Sequence, residues 1–85
     1  MKADKQLDLA GLVVPICFFA CKSALAGMEP GAVLEISLKD PEAFRDLLTI
    51  IEHSRDRLLE TREREDGYVL WVRRGDEVGS EGVET

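Results

Sequence analysis

The stretch LDLAGLVVPICFFACKSALAGMEPGAVLEISLKDP, residues 7–41, decides the fold. Leu7 and Leu9 alternate with polar neighbours, the period-2 pattern of a short strand over the segment KQLDLAG. Gly11 to Val14 then begins like a buried strand and breaks at Pro15. Proline suits the first turn of a helix, where its missing N–H is not needed. A helix is therefore predicted from Pro15 to about Met28, stopped by Glu29, Pro30 and Gly31. A second strand follows in AVLEISL, with Val33, Leu34, Ile36 and Leu38. Asp40 and Pro41 then supply an N-cap and a first-turn proline, the start of another helix.

Downstream, Phe44, Leu47, Leu48 and Ile51 fall at i, i+3, i+4 and i+7, one apolar stripe of an amphipathic helix. DRLLETRERE and GYVLWVRR read as two strands joined through Asp66-Gly67, a strong hairpin signal. The order is β-α-β-α-β-β. Helices between the early strands imply parallel pairing with right-handed crossovers, and the last two strands add an antiparallel hairpin. Two helices cover one face of a four-stranded mixed sheet, so the expected fold is a two-layer α/β sandwich. One domain spans residues 1–74, and residues 75–85, GDEVGSEGVET, form an acidic flexible tail.

The chain has 85 residues, 45% apolar and 33% charged, a globular composition. Its net charge of −6 is uneven: Asp76, Glu77, Glu81 and Glu84 account for four of 17 acids, leaving 13 against 11 bases before the tail. No basic excess remains to neutralise phosphates, which argues against nucleic acid as a partner. Two cysteines four residues apart are too few for a disulfide framework, and His53 is too far from them for zinc spacing. No metal or cofactor is expected. The first 27 residues imitate a signal peptide, with Lys2, Lys5, an apolar run and ALAG. Asp4, Asp8, Pro15 and Lys22 oppose that reading, and the apolar run is short of the ~20 residues that span a bilayer. A reduced, cytoplasmic chain without a membrane segment is expected.

Taken together, Leu7, Asp8, Gly11, Leu12, Pro15, Lys22, Ala24, Leu25, Pro30, Gly31, Asp40 and Pro41 resemble the TusA/SirA-like sulfur-carrier family over roughly residues 6–74. The resemblance implies a two-layer βαβαββ sandwich. It also implies a protein that takes sulfur as a cysteine persulfide from a cysteine desulfurase or sulfurtransferase and hands it to an acceptor. The family's sulfur-carrying cysteine stands just before the first motif proline. Here that position is Val14, and the second motif proline is replaced by Cys17.

Valine can neither carry sulfur nor cap a helix. Cys17, in the first helical turn, is then the candidate substitute thiol, because the positive end of the helix dipole favours a thiolate. Cys21 falls at core spacing with Phe18, Leu25 and Met28. A disulfide between the two is not expected, since i and i+4 side chains run parallel. Ile16 and Phe19, with Gly11 and Leu12 of the motif loop, form a candidate surface for a protein partner or a second copy of the chain. Trp71 is expected to shield the open face of the sheet, His53 to be solvated, and Arg55 to Arg64 to form a charged strand face with cross-strand ion pairs. Two readings stay open. One is a sulfur carrier working through Cys17, with at most a sulfurtransferase-type activity. The other is a non-catalytic binding or regulatory module that keeps the docking surface.

Overall fold

The computed structural model describes residues 2–13 and 15–75. Its elements run β1 (Lys5–Asp8), α1 (Ile16–Ala26), β2 (Val33–Leu38), α2 (Pro41–Glu52), β3 (Arg57–Arg64) and β4 (Gly67–Arg73). Of the acidic tail expected over residues 75–85, all but Gly75 lies outside the described residues. Gly11 to Val13 form a turn and a loop where a strand start was expected, and Val14 lies outside the described residues.

The four strands make one mixed sheet in the order β1-β2-β4-β3. β1 and β2 pair in parallel, as a crossover through a helix requires, and β4 runs antiparallel to both β2 and β3. The second crossover therefore skips one position, and the last strand folds back into the gap. The reason lies in β4 itself: Val69, Leu70, Trp71 and Val72 are all buried, so both of its faces are covered. A strand that is apolar on both faces belongs in the middle of a sheet, and the charged β3 is left at the edge. Trp71, on the face away from the helices, donates its indole N–H to Glu35 at 3.1 Å and lies under the Arg62 guanidinium, 5.5 Å from the ring centroid. It shields the sheet, as expected.

The cross-strand ion pairs expected for the Arg55–Arg64 run do not form. Opposite Glu60, Arg62 and Glu63 stand Trp71, Val69 and Tyr68, which offer them no charge, and the one charge of β4, Arg73, stands opposite Arg57. Among the described residues the ion pair in this run is Arg62 with Glu60 of the same strand, at 2.8 Å.

Both helices lie on one face. α2 starts as its sequence requires: the Asp40 side chain accepts from the Glu42 amide at 3.0 Å, and Pro41 occupies the first turn. Ala43, Leu47 and Ile51 are buried, while Phe44 stacks on Tyr68 with ring centroids 4.3 Å apart. α1 begins one residue later than expected, with Pro15 as its N-cap, and ends at Ala26 before Gly27. Its buried residues are Cys17, Cys21, Ala24 and Leu25, so the helix is rotated by about one position from the expected Phe18–Cys21–Leu25 stripe. Cys17 takes the core place expected for Phe18, which is only partly buried and packs against the core from its edge.

Gly67 matters for a reason that the hairpin motif does not contain. A Cβ there would stand 2.6 Å from the Leu38 carbonyl oxygen, so the start of β4 passes the end of β2 too closely for any side chain. Gly67→Ala is expected to destabilise the fold by about 1–3 kcal/mol, the scale of a forced backbone shift. Urea unfolding of both proteins measures it, and a loss under about 0.5 kcal/mol would show that the strands separate freely at this point.

Candidate functional site

The loop between β1 and α1 is built by its own motif residues. The Leu9 amide donates to the Ser37 carbonyl at 2.8 Å, and the Leu9 side chain is buried, so the loop is pinned to β2. One oxygen of Asp8 accepts the Ala10 amide at 2.9 Å, and the Leu9 carbonyl accepts the amides of Gly11 and Leu12 at 3.1 and 3.0 Å. The Leu-Asp pair therefore shapes a turn by a local side-chain hydrogen bond. Leu12 and Val13 follow on the surface. Val14, the position that the resemblance assigns to the carrying cysteine, lies outside the described residues, and Pro15 beyond it is exposed. The Cys17 amide donates to the Val13 carbonyl at 3.1 Å, and the Pro15 carbonyl accepts from Phe18 and Phe19, which closes the first turn.

The exposure expected of a sulfur-carrying thiol is not met by Cys17. It is 2% exposed and belongs to the hydrophobic core, because the rotation of α1 turns it toward the sheet. Cys17 does line a cleft of about 380 Å³ beside the motif loop, together with Leu9, Gly11, Leu12, Lys39 and Asp40. Cys21, 3% exposed, lies one turn deeper in the same stripe, and both thiols are free. Burial pushes the Cys21 thiol up to about 11, with the negative charge of Asp56 and then Cys17 adding to it. Such a thiol is inert as a nucleophile at neutral pH.

What the loop and α1 present outward is apolar. Leu12 is 45% exposed, Val13 64%, Ile16 52% and Phe19 65%. Ile50 of α2 extends this surface, at 45%. Between the helices runs a groove of about 470 Å³, walled by Phe18, Phe19, Leu25 and Ile50, with Lys22, His53 and Asp56 also on its lining. His53 caps α2 and its ring Nδ1 bonds to the Thr49 carbonyl at 2.9 Å. Gly11 and Leu12 line the cleft beside Cys17, Phe19 lines the groove between the helices, and Ile16 is exposed at the start of α1. Ile50 was missed in the sequence, although its signal is present: two adjacent isoleucines on an amphipathic helix cannot both face the core.

Among the described residues no group of three or more His, Cys, Asp or Glu side chains is gathered to hold a metal ion. No helix among them is long and apolar enough to cross a membrane.

Comparison with known proteins places these features in context. A family model described as sulfurtransferase TusA matches residues 5–74. The chain is 33% identical over 75 residues to "Putative sulfur carrier protein YrkI" of Bacillus subtilis, covering 88% of this chain and all of that one. A protein of the same description from Archaeoglobus fulgidus is 32% identical over 68 residues, covering 80% of this chain and 88% of its own length. Among solved structures, a SirA-like protein from Desulfitobacterium hafniense superposes with a TM-score of 0.64 at 23% identity, over 85% of this chain and 99% of that one. It shares the α/β fold.

The Cys21 thiol gives a pH signature. The folded protein holds its proton more tightly than the unfolded chain, whose thiol has the ordinary value of 9.0. This contribution to stability is complete below pH 9 and is lost as pH rises toward about 11. Urea unfolding of wild type is expected to lose roughly 2–3 kcal/mol across that window relative to Cys21→Ala. Parallel pH profiles for the two proteins would show that the thiol is not desolvated.

Proposed function

The chain belongs to the TusA sulfurtransferase family, and from that premise we propose that it serves sulfur-relay metabolism as a docking or regulatory partner of a cysteine desulfurase or sulfurtransferase. One observation carries the reading. The apolar residues around the family's carrying position, Leu12, Val13, Ile16 and Phe19, remain exposed, while both thiols of the chain are buried. Apolar surface of this kind beside a lost reactive residue is the remnant expected when docking outlives chemistry. The reading carries a cytoplasmic setting, where thiols stay reduced. A second copy of the chain is the competing occupant of the same face.

A second reading rests on the cleft beside the motif loop, which Cys17 lines. If the loop opened, the Cys17 thiolate would attack the terminal sulfur of the donor's persulfide. The donor's S–S bond breaks as a new one forms on Cys17, and the donor leaves as a thiolate, with no outside oxidant needed.

Intact-mass spectrometry after incubation with a cysteine desulfurase and cysteine separates the two. Wild type and Cys17→Ser are expected to behave alike, without a stable gain. Val14→Cys is expected to gain one sulfur atom, because it restores a cysteine just before the motif proline, where the family resemblance puts the carrier. Adding Phe19→Asp to Val14→Cys is expected to suppress the gain about tenfold or more, the effect of losing a hot-spot side chain. A sulfur atom on wild type that is absent from Cys17→Ser would replace the docking reading with the carrier. Sedimentation of wild type at increasing concentration reads out self-association.

A further inference from the structure

At the far end of the sheet from the motif loop lies a second cleft, of about 430 Å³, lined by Pro30, Gly31, Arg55, Arg57, Arg73 and Arg74. The registers fix its place. β2 ends at Leu38 beside the motif loop, and Arg73 pairs with Val33 at its other end. We propose that this cleft is a binding site for a small, multiply charged oxyanion of the phosphate or sulfate type.

Arg57 and Arg73 stand directly opposite each other across the antiparallel pair β3–β4. Like charges in that position repel, with side chains starting only about 5 Å apart, and they destabilise a sheet unless an anion stands between them. The sequence around them is rich in acids, yet neither Arg55, Arg57 nor Arg73 has an ion-pair partner among the described residues. Asp56, the carboxylate beside them in sequence, uses its Oδ1 to accept the Gly75 amide at 2.8 Å. Arg74 is held differently: its guanidinium donates to the Met28 carbonyl, and its backbone ties Ala32 and Gly31 at 2.8 and 2.9 Å. These bonds make one side of the cleft rigid and leave Arg55, Arg57 and Arg73 exposed around it.

Guanidinium groups bind tetrahedral oxyanions through paired N–H donors, and one doubly charged anion bridging two of them removes their mutual repulsion. Size and charge set the class. The cleft holds a group of a few heavy atoms, and a net charge of −6 over the chain repels an extended polyanion.

The test uses the full chain, titrated with sodium phosphate and sodium sulfate against sodium chloride at matched ionic strength. Thermal midpoints and the arginine side-chain N–H signals in NMR are followed. Wild type is expected to be stabilised by phosphate or sulfate beyond chloride, with shifts at Arg57 and Arg73. Arg57→Gln/Arg73→Gln is expected to weaken binding at least about tenfold, the scale of one charge-assisted hydrogen bond. In chloride that variant is expected to be no less stable than wild type, because a repulsion has been removed, and this shows that it is folded. A variant with Asp76→Asn and Glu77→Gln is titrated alongside, since those acids directly follow Gly75. A response in that variant alone would assign the cleft to the chain's own tail and overturn the proposal. Equal responses to all three salts, or an undiminished response in the arginine variant, would overturn it as well.

Discussion

The packing of α1 against the sheet governs the rest of this molecule. The helix is apolar on nearly every side, so hydrophobicity alone does not say which face it buries. Steric fit decides. Cys17, Cys21, Ala24 and Leu25 are the side chains that α1 buries, and they join Leu34, Ile36 and Leu70 in one core. Interiors are close-packed, so the approach that leaves fewest voids is preferred. One consequence is that both thiols become core atoms. Another is that Ile16 and Phe19 have nowhere to go but outward, beside the loop where the family carries its sulfur.

The insertion of β4 between β2 and β3 has a comparable reach. It places the most apolar strand where both faces are covered, and Trp71 is buried under Arg62 on the side without helices. It also determines which charges meet. The alternating Arg and Glu residues of β3 invite cross-strand ion pairing on paper, but β4 presents Tyr68, Val69 and Trp71 along most of its length. Its only charge in register is Arg73, which falls opposite another arginine. A charge pattern that looks like ordinary solvation in one dimension thus becomes a concentrated positive cleft on an acidic protein.

The two ends of the sheet are chemically unlike each other. The end with the motif loop is apolar and carries the family resemblance, shaped by the Asp8 and Leu9 hydrogen bonds. The other end is cationic and is tied together by Gly31, Arg74 and Gly75. Neither thiol lines the cationic cleft, so the anion site proposed there does not depend on sulfur chemistry at the first.

Local signals in the sequence determined the element order and the two-layer architecture. Asp40-Pro41 starts a helix because capping and proline geometry are local, and the 3.6-residue stripe of α2 reports its buried face directly. The spacing of Leu7, Asp8, Gly11, Leu12 and Pro15 carried the family, and Val14 carried the departure from it. Other features depended on contacts between segments distant in sequence, and only the tertiary structure decided them. The face of α1 is set by the shape of the sheet it meets, so the burial of Cys17 could not be read from a helix that is apolar all round. Gly67 looks like a turn residue until the Leu38 carbonyl is seen against it. Arg57 and Arg73 are 16 residues apart in the chain, and the register of β3 on β4 alone makes them neighbours.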